Sequence, residues 1–319
     1  MSALPILHRL GALARTNSVK SLIGSVYLTE TAQAEQQQTS PFQELARSWP
    51  WLPNRTELKG PRHPVVLCHG LGFFDKTPEA LPRFQLHYWG GIVDALRALG
   101  TEVIIARVPS TGTIAERSRA LHRQLEDVLE PGQQVNLLAH SMGGLDCRHL
   151  ITHIKPTTYK PVSLITLSCP HRGSPFMDWC RDYLIDKAVP LSSAILTKTM
   201  LARMIDCPAY ANLTTAYCQK VFNPLTPDSD EVAYYSFAAS APSAFPIWHP
   251  LYLPHLVVSE AEGKSNDGLV SVDSSRWGKF VDTVDCDHWD LRGRGLPGSK
   301  FQVVDFYRAV AAFLYSEGF

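Results

Sequence analysis

The chain lacks any apolar run approaching the ~18 residues that a membrane-spanning helix needs, so no transmembrane helix is expected. It also lacks net charge, since Lys+Arg and Asp+Glu each number 30. Without a global field of either sign, nothing favours nucleic acid or an anionic membrane as a partner. The seven cysteines, Cys68, Cys147, Cys169, Cys180, Cys207, Cys218 and Cys286, form no CxxC pair, which argues against a zinc ribbon. Cys68 and Cys169 end apolar runs, where a thiol serves as a small hydrophobe, and the set reads as reduced and intracellular. Residues 1–29 lack acidic side chains altogether but carry Arg9, Arg15 and Lys20, with Leu4, Leu7, Leu10 and Leu13 at helical spacing. That is the composition of a mitochondrial targeting segment; without import, the protein would remain cytoplasmic.

What is present is a globular composition, 45% hydrophobic and 19% charged over 319 residues. A polar stretch rich in Gln and Pro over 30–62 reads as a linker, and 63–319 as one domain. Within it, apolar runs at 64–68, 102–108, 134–139 and 162–167 read as strands, with later strands at 232–237 and 255–259. Helical periodicity covers 90–99, 113–129 (Ile114, Leu121, Leu125 and Val128 inward) and 303–314. Strands alternating with helices predict an α/β fold, a mostly parallel sheet covered on both faces.

The third strand runs into AHSMGG at 139–144. A serine between small residues, after a strand and before a helix, is the nucleophile elbow of the α/β-hydrolase fold. The turn is so sharp that Ser141 must adopt strained backbone, and bulky neighbours would clash. The helix start places the Met142 N–H where it can bind a developing oxyanion. A second donor is expected from the glycine-rich loop HGLGFF at 69–74, through the Leu71 N–H.

A base and its orienting acid should follow the nucleophile in the order acid, then histidine. Of His149, His153, His171, His249, His255 and His288, the last lies in a short loop before the final helix and is the favoured base. Asp267, expected just after a late strand, is the favoured acid, with Asp273 as the alternative; Asp285 and Asp287 lie too near His288 to hold its ring from behind.

HGLGFF, AHSMGG, NDGLVSV at 266–272 and DHWD at 287–290 together resemble the bacterial true lipases of pseudomonads, staphylococci and thermophilic bacilli, and are similar to fungal mitochondrial triacylglycerol lipases. HYWGG at 87–91 and SCPHRGS at 168–174 extend the resemblance. It implies Ser141, Asp267 and His288 as catalytic triad, with Leu71 and Met142 as oxyanion donors. It also implies a structural calcium, for which Asp290 matches one ligand, but the other ligand positions fall near Ile247 and Arg294. No metal and no cofactor are therefore expected.

Between 174 and 209 lies an apolar segment, including Phe176, Met177, Trp179, Leu191, Ile195, Leu196, Met200 and Leu201, where this fold inserts a helical lid. Such a surface suits a lipid ester substrate and transient contact with a lipid interface. The expected activity is triacylglycerol hydrolysis by a serine carboxylic ester hydrolase. A phospholipase, or an acyl-protein thioesterase suggested by DSSRW at 273–277, is the alternative, and a non-catalytic binding module the more distant one.

Overall fold

Successive side chains of a strand point to opposite faces of its sheet, and here both faces are apolar. A computed structural model describes residues 41–52, 58–71, 88–186, 208–241, 245–262, 265–293 and 299–319. Among these, strands β1 (Val65–Cys68), β2 (Val103–Ile105), β3 (Gln134–His140), β4 (Lys160–Leu167), β5 (Ala233–Ser240) and β6 (Lys279–Asp285) form one parallel sheet in the order β2-β1-β3-β4-β5-β6. Val65, Leu67, Leu138, Ile165 and Phe237 pack beneath helices α1 (Pro41–Ser48), α2 (Ile92–Ala98) and α7 (Val303–Glu317). Val66, Cys68, Leu137, Ala139 and Leu164 face the other way, against α3 (Ile114–Val128) and α4 (Gly143–His149). Each fully buried aliphatic side chain contributes ~1.5–3 kcal/mol. A one-residue slip of any central strand would turn one apolar set onto the wrong helices, so the register is strongly specified.

That register aligns the carboxyl ends of the central strands, with Cys68 beside Ala139 and His140 beside Leu167. The crevice outside those ends is where open α/β sheets place their ligands.

Several sequence expectations change. The stretch 30–62 is not wholly a linker: α1 and the residues after it join the core, with Trp49 against Phe306 (5.3 Å between ring centroids) and Trp51 against Phe237 (4.9 Å). The surrounding glutamines and prolines mask these few large apolar residues in a composition average. The strand expected at 255–259 is part of helix α6 (Tyr252–Glu262). A three-residue apolar run, Leu256–Val258, does not distinguish a buried strand from a helix. Pro254, in the first turn, is compatible with a helix start. The sheet's sixth strand is instead Lys279–Asp285, an edge strand with mostly half-buried side chains and three charged residues, too polar to read as a strand. Val128, expected to face inward, is exposed at the last position of α3; the face it was assigned to carries buried Arg117 and Ser118.

Candidate active site

Ser141 lies between the end of β3 and the start of α4 with φ 57°, the left-handed region that costs an L-residue roughly 1–2 kcal/mol. Its N–H is fixed to the Leu167 carbonyl at 3.0 Å. Close packing enforces the small neighbours. A Cβ on Gly143 would lie 2.5 Å from the Cys68 carbonyl oxygen, and one on Gly144 would lie 2.6 Å from the Cys169 sulfur. Across the turn, a Cβ on Gly70 would lie 2.6 Å from that of Ser141.

The structure brings the three sequence-predicted residues into one hydrogen-bonded chain. Ser141 Oγ lies 3.0 Å from His288 Nε2, and His288 Nδ1 lies 2.6 Å from Asp267 Oδ2. The partners assign the tautomer: Nδ1–H donates to the carboxylate, leaving Nε2 free to accept the serine proton. Asp267 is fully buried. Its Oδ1 accepts the N–H groups of Leu269 (2.9 Å) and Val270 (2.7 Å), and its Oδ2 also accepts the Ser168 hydroxyl. Asp267 follows helix α6 rather than a strand, yet its turn is stitched back to the end of β5, where Ala241 N–H donates to the Asn266 carbonyl at 2.9 Å. The catalytic-loop backbone closes the arrangement, with His288 N–H donating to the Asp267 carbonyl at 2.9 Å.

Asp287 and Asp290 bracket His288. Asp287 Oδ1 accepts from the N–H groups of Trp289 and Asp290 (2.7 and 2.8 Å), and Asp290 Oδ2 accepts from Asp287 N–H at 3.0 Å. Burial, then the adjacent Asp290 carboxylate, pushes Asp287 up to about 6. Asp273, the alternative acid, takes no part: its carbonyl receives Arg172 at the surface. The other histidines are engaged elsewhere, His149 with Ser118, His153 with Thr226, His171 with Thr166 and His255 with Asn266.

Met142 directly follows Ser141, and Leu71 follows Gly70, whose backbone lies against Ser141; neither N–H has a backbone acceptor among the described residues. Gly72, Phe73 and Phe74 lie outside the described residues. What holds this loop was not read from the sequence. The guanidinium of Arg117, fully buried, donates to the His69 carbonyl (2.7 Å), the Gly70 carbonyl (3.3 Å) and the Pro109 carbonyl (2.8 Å). Its Nε pairs with Asp146 Oδ2 at 2.8 Å, linking the loop to α4. Burial pushes Asp146 up to about 6, with Arg117 opposing that shift. Neither partner of such a buried pair can be removed without orphaning the other. The available signal was an arginine on the inward face of the helix, three positions after Ile114.

Tyr88 adds a second tie. Its hydroxyl accepts the Gly70 N–H at 2.9 Å and lies 2.6 Å from His140 Nδ1. Burial, then the neighbouring His288, holds the His140 pKa well below the ordinary imidazole value. His140 thus stays neutral with its ring centroid 4.6 Å from that of His288, where a second positive charge would oppose protonation of His288.

The residues do not fit the calcium implied by the resemblance. Calcium takes six or more oxygens, usually several carboxylates among them. Asp290 Oδ2 is engaged by the backbone, and only its Oδ1 is buried without a partner. Ile247 is an exposed aliphatic residue, and the nearby His249 presents Nε2 to Asp287 at 3.8 Å. Arg292 stacks over the Tyr88 and Trp289 rings, and Arg294 lies outside the described residues. Excess EGTA should accordingly leave ester hydrolysis and the melting temperature unchanged. A fall in melting temperature that added calcium reverses would show that a site exists.

Comparison with known proteins agrees with this geometry. The profile of the alpha/beta hydrolase family matches residues 65–313. Triacylglycerol lipase 2 of Saccharomyces cerevisiae is 32% identical over 318 aligned positions, covering 82% of this chain and 94% of the yeast protein. A triacylglycerol lipase of Vibrio cholerae is 27% identical, covering 72% of this chain and 79% of its own. Among solved structures, the lipase of Staphylococcus hyicus shares the fold, with a TM-score of 0.60, 18% identity, and coverage of 83% of this chain and 98% of that one. The chain therefore belongs to the alpha/beta hydrolase family, as a carboxylic ester hydrolase.

Proposed function

We propose that this carboxylic ester hydrolase cleaves triacylglycerols through an acyl-enzyme formed on Ser141. His288, oriented by Asp267, takes the Ser141 proton as Oγ attacks the ester carbonyl. The N–H groups of Leu71 and Met142 hold the oxyanion, and His288 returns the proton to the departing alcohol. Water then attacks the acyl-enzyme by the same route. The observation that carries this reading is the Ser141–His288–Asp267 chain built on a left-handed serine. The relatives named as triacylglycerol lipases support the choice of substrate.

The thioesterase alternative rested on residues 273–277. Two of those side chains are committed elsewhere: Ser274 Oγ donates to the Gly173 carbonyl, and Trp277 Nε1 reaches Asp228 beneath the stacked Arg148 guanidinium. Purified enzyme given triolein emulsion, a lysophospholipid and a palmitoyl thioester in parallel should turn over triolein fastest. Preference for either of the others would transfer the assignment to that substrate class, and failure to label with a fluorophosphonate would favour the non-catalytic alternative.

The lid belongs to the same proposal. Helix α5 (Pro175–Asp186) opens the apolar segment, and its Phe176, Met177 and Cys180 are buried against Met142 and Leu145 of the elbow. Residues 187–207, the remainder of the lid expectation apart from its last two positions, lie outside the described residues. Mitochondrial location is proposed from the acid-free basic stretch 1–29, which also lies outside them. Residues 1–40 fused to a fluorescent reporter should carry it into mitochondria; diffuse cytosolic fluorescence would contradict the proposal.

A further inference from the structure

Half of the large hydrophobic residues left exposed among the described residues lie within one short stretch. Ile247 is 81% exposed, Trp248 72%, Leu253 47% and Leu256 45%, whereas Ile105 and Val128 stand apart and Val221 and Leu225 form only a pair on the helical run 215–225. From Val232 to Ser259 the chain carries no Asp, Glu, Lys or Arg. The stretch therefore presents apolar side chains with no fixed charge among them. Scattered exposed apolar residues are ordinary, but a concentrated apolar patch marks a contact surface.

The inner side of this stretch is built into the site. The Phe245 ring lies 4.5 Å from that of His249, and the His249 ring 6.0 Å from that of Trp289, next to the catalytic histidine. Leu251 and Phe245 close on Gly268, where an added Cβ would lie 2.9 Å from the Leu251 Cβ. Gly268 directly follows Asp267. Residues 245 and 251 thus brace the catalytic acid's turn, while Ile247 and Trp248 between them project into solvent. On α6, Val258 is buried against Phe176 and Met177 of α5, while Leu253 and Leu256, one helical turn apart, face outward.

We propose that Ile247, Trp248, Leu253 and Leu256 form the surface by which this enzyme docks on a neutral lipid interface, with its active site at the edge of the contact. The proposal rests on the reading that the substrate is a lipid ester. Two features select a lipid surface as the occupant. An exposed indole favours the boundary between headgroups and acyl chains, where its ring is buried and its N–H stays hydrated. None of the four side chains is charged, so their insertion strips no ion of water; the exposed Glu260, one turn beyond Leu256, marks the edge of the patch. Their lack of charge also means that adhesion should not depend on anionic lipid or weaken with salt, unlike that of a polybasic surface.

The test compares wild type with Ile247→Ser/Trp248→Ser, and independently with Leu253→Gln/Leu256→Gln, so that one unstable variant does not end it. Folding is checked by melting and by hydrolysis of dissolved p-nitrophenyl butyrate, which should be unchanged. Co-sedimentation with pure phosphatidylcholine vesicles should fall roughly tenfold or more in the variants, given the apolar area withdrawn from the contact. Wild-type binding should be the same at low and high salt. Turnover of phosphatidylcholine-coated triolein should fall at limiting surface area and recover as surface is added.

Vesicle binding and emulsion turnover that are unchanged in both variants would overturn the docking surface while leaving the triacylglycerol reading intact. Binding lost in the variants, by an enzyme that does not cleave triolein, would support the surface and overturn that substrate. If the substitutions converted a dimer to a monomer in sedimentation and left vesicle binding unaltered, the patch would be a contact between copies and the proposal would fail.

Discussion

Ser141→Ala should lose roughly a millionfold in kcat, comparable to removing a whole catalytic triad, with no loss of folded protein. Among the described residues Ser141 Oγ makes one hydrogen bond, to His288 Nε2. The left-handed backbone at residue 141 is imposed by the fixed ends of β3 and α4 and by the bond from its N–H to Leu167. Alanine meets the same backbone cost as serine there and makes no new contact with Gly70. Activity and stability therefore separate: ester hydrolysis and fluorophosphonate labelling vanish while the melting curve stays in place. A variant retaining a tenth of wild-type turnover would show that the nucleophile is another residue.

Asp267→Asn should cost about 10⁴ in kcat, the scale seen when an orienting carboxylate becomes an amide. The structure determines how the amide must sit. The N–H groups of Leu269 and Val270 both donate to Oδ1, so the amide oxygen is held at that position. The amide nitrogen then occupies the place of Oδ2, facing His288 Nδ1 and Ser168 Oγ. An N–H donor there requires Nδ1 to accept, which moves the ring proton to Nε2. In that tautomer His288 has no lone pair for the Ser141 proton. Ser168 can rotate to accept the second amide hydrogen, so the fold survives. Asp273→Asn and Asp287→Asn leave the ring's partner in place and should be far milder. A greater loss at Asp273 than at Asp267 would refute the assignment.

These two residues belong to a site whose parts are far apart in the sequence, and how much of it was legible there varies by part. The elbow was legible because its constraint is local: a strand, a strained serine and a helix start within a few positions, and packing against Cys68 and Cys169 leaves room only for glycine at 143 and 144. The base was legible from its short loop before the last helix. Asp267 was identified for a partly mistaken reason, since the segment before it is a helix. Its position beside His288 comes from Asn266 bonding back to the end of β5, a contact that no local pattern announces.

The sequence alone determined the class of fold, because two-sided apolar strands alternating with amphipathic helices bury well only as a covered parallel sheet. It also determined the nucleophile, because backbone geometry at the elbow tolerates few residues. The tertiary structure alone decided which buried charges hold the machinery. Arg117 lies on the inward face of its helix and is tolerated there only because three carbonyls and Asp146 converge on it in space. It likewise decided that Trp49 and Trp51 belong to the core while Ile247 and Trp248 face water. Hydrophobicity is a property of the residue, but burial depends on which distant elements arrive to cover it.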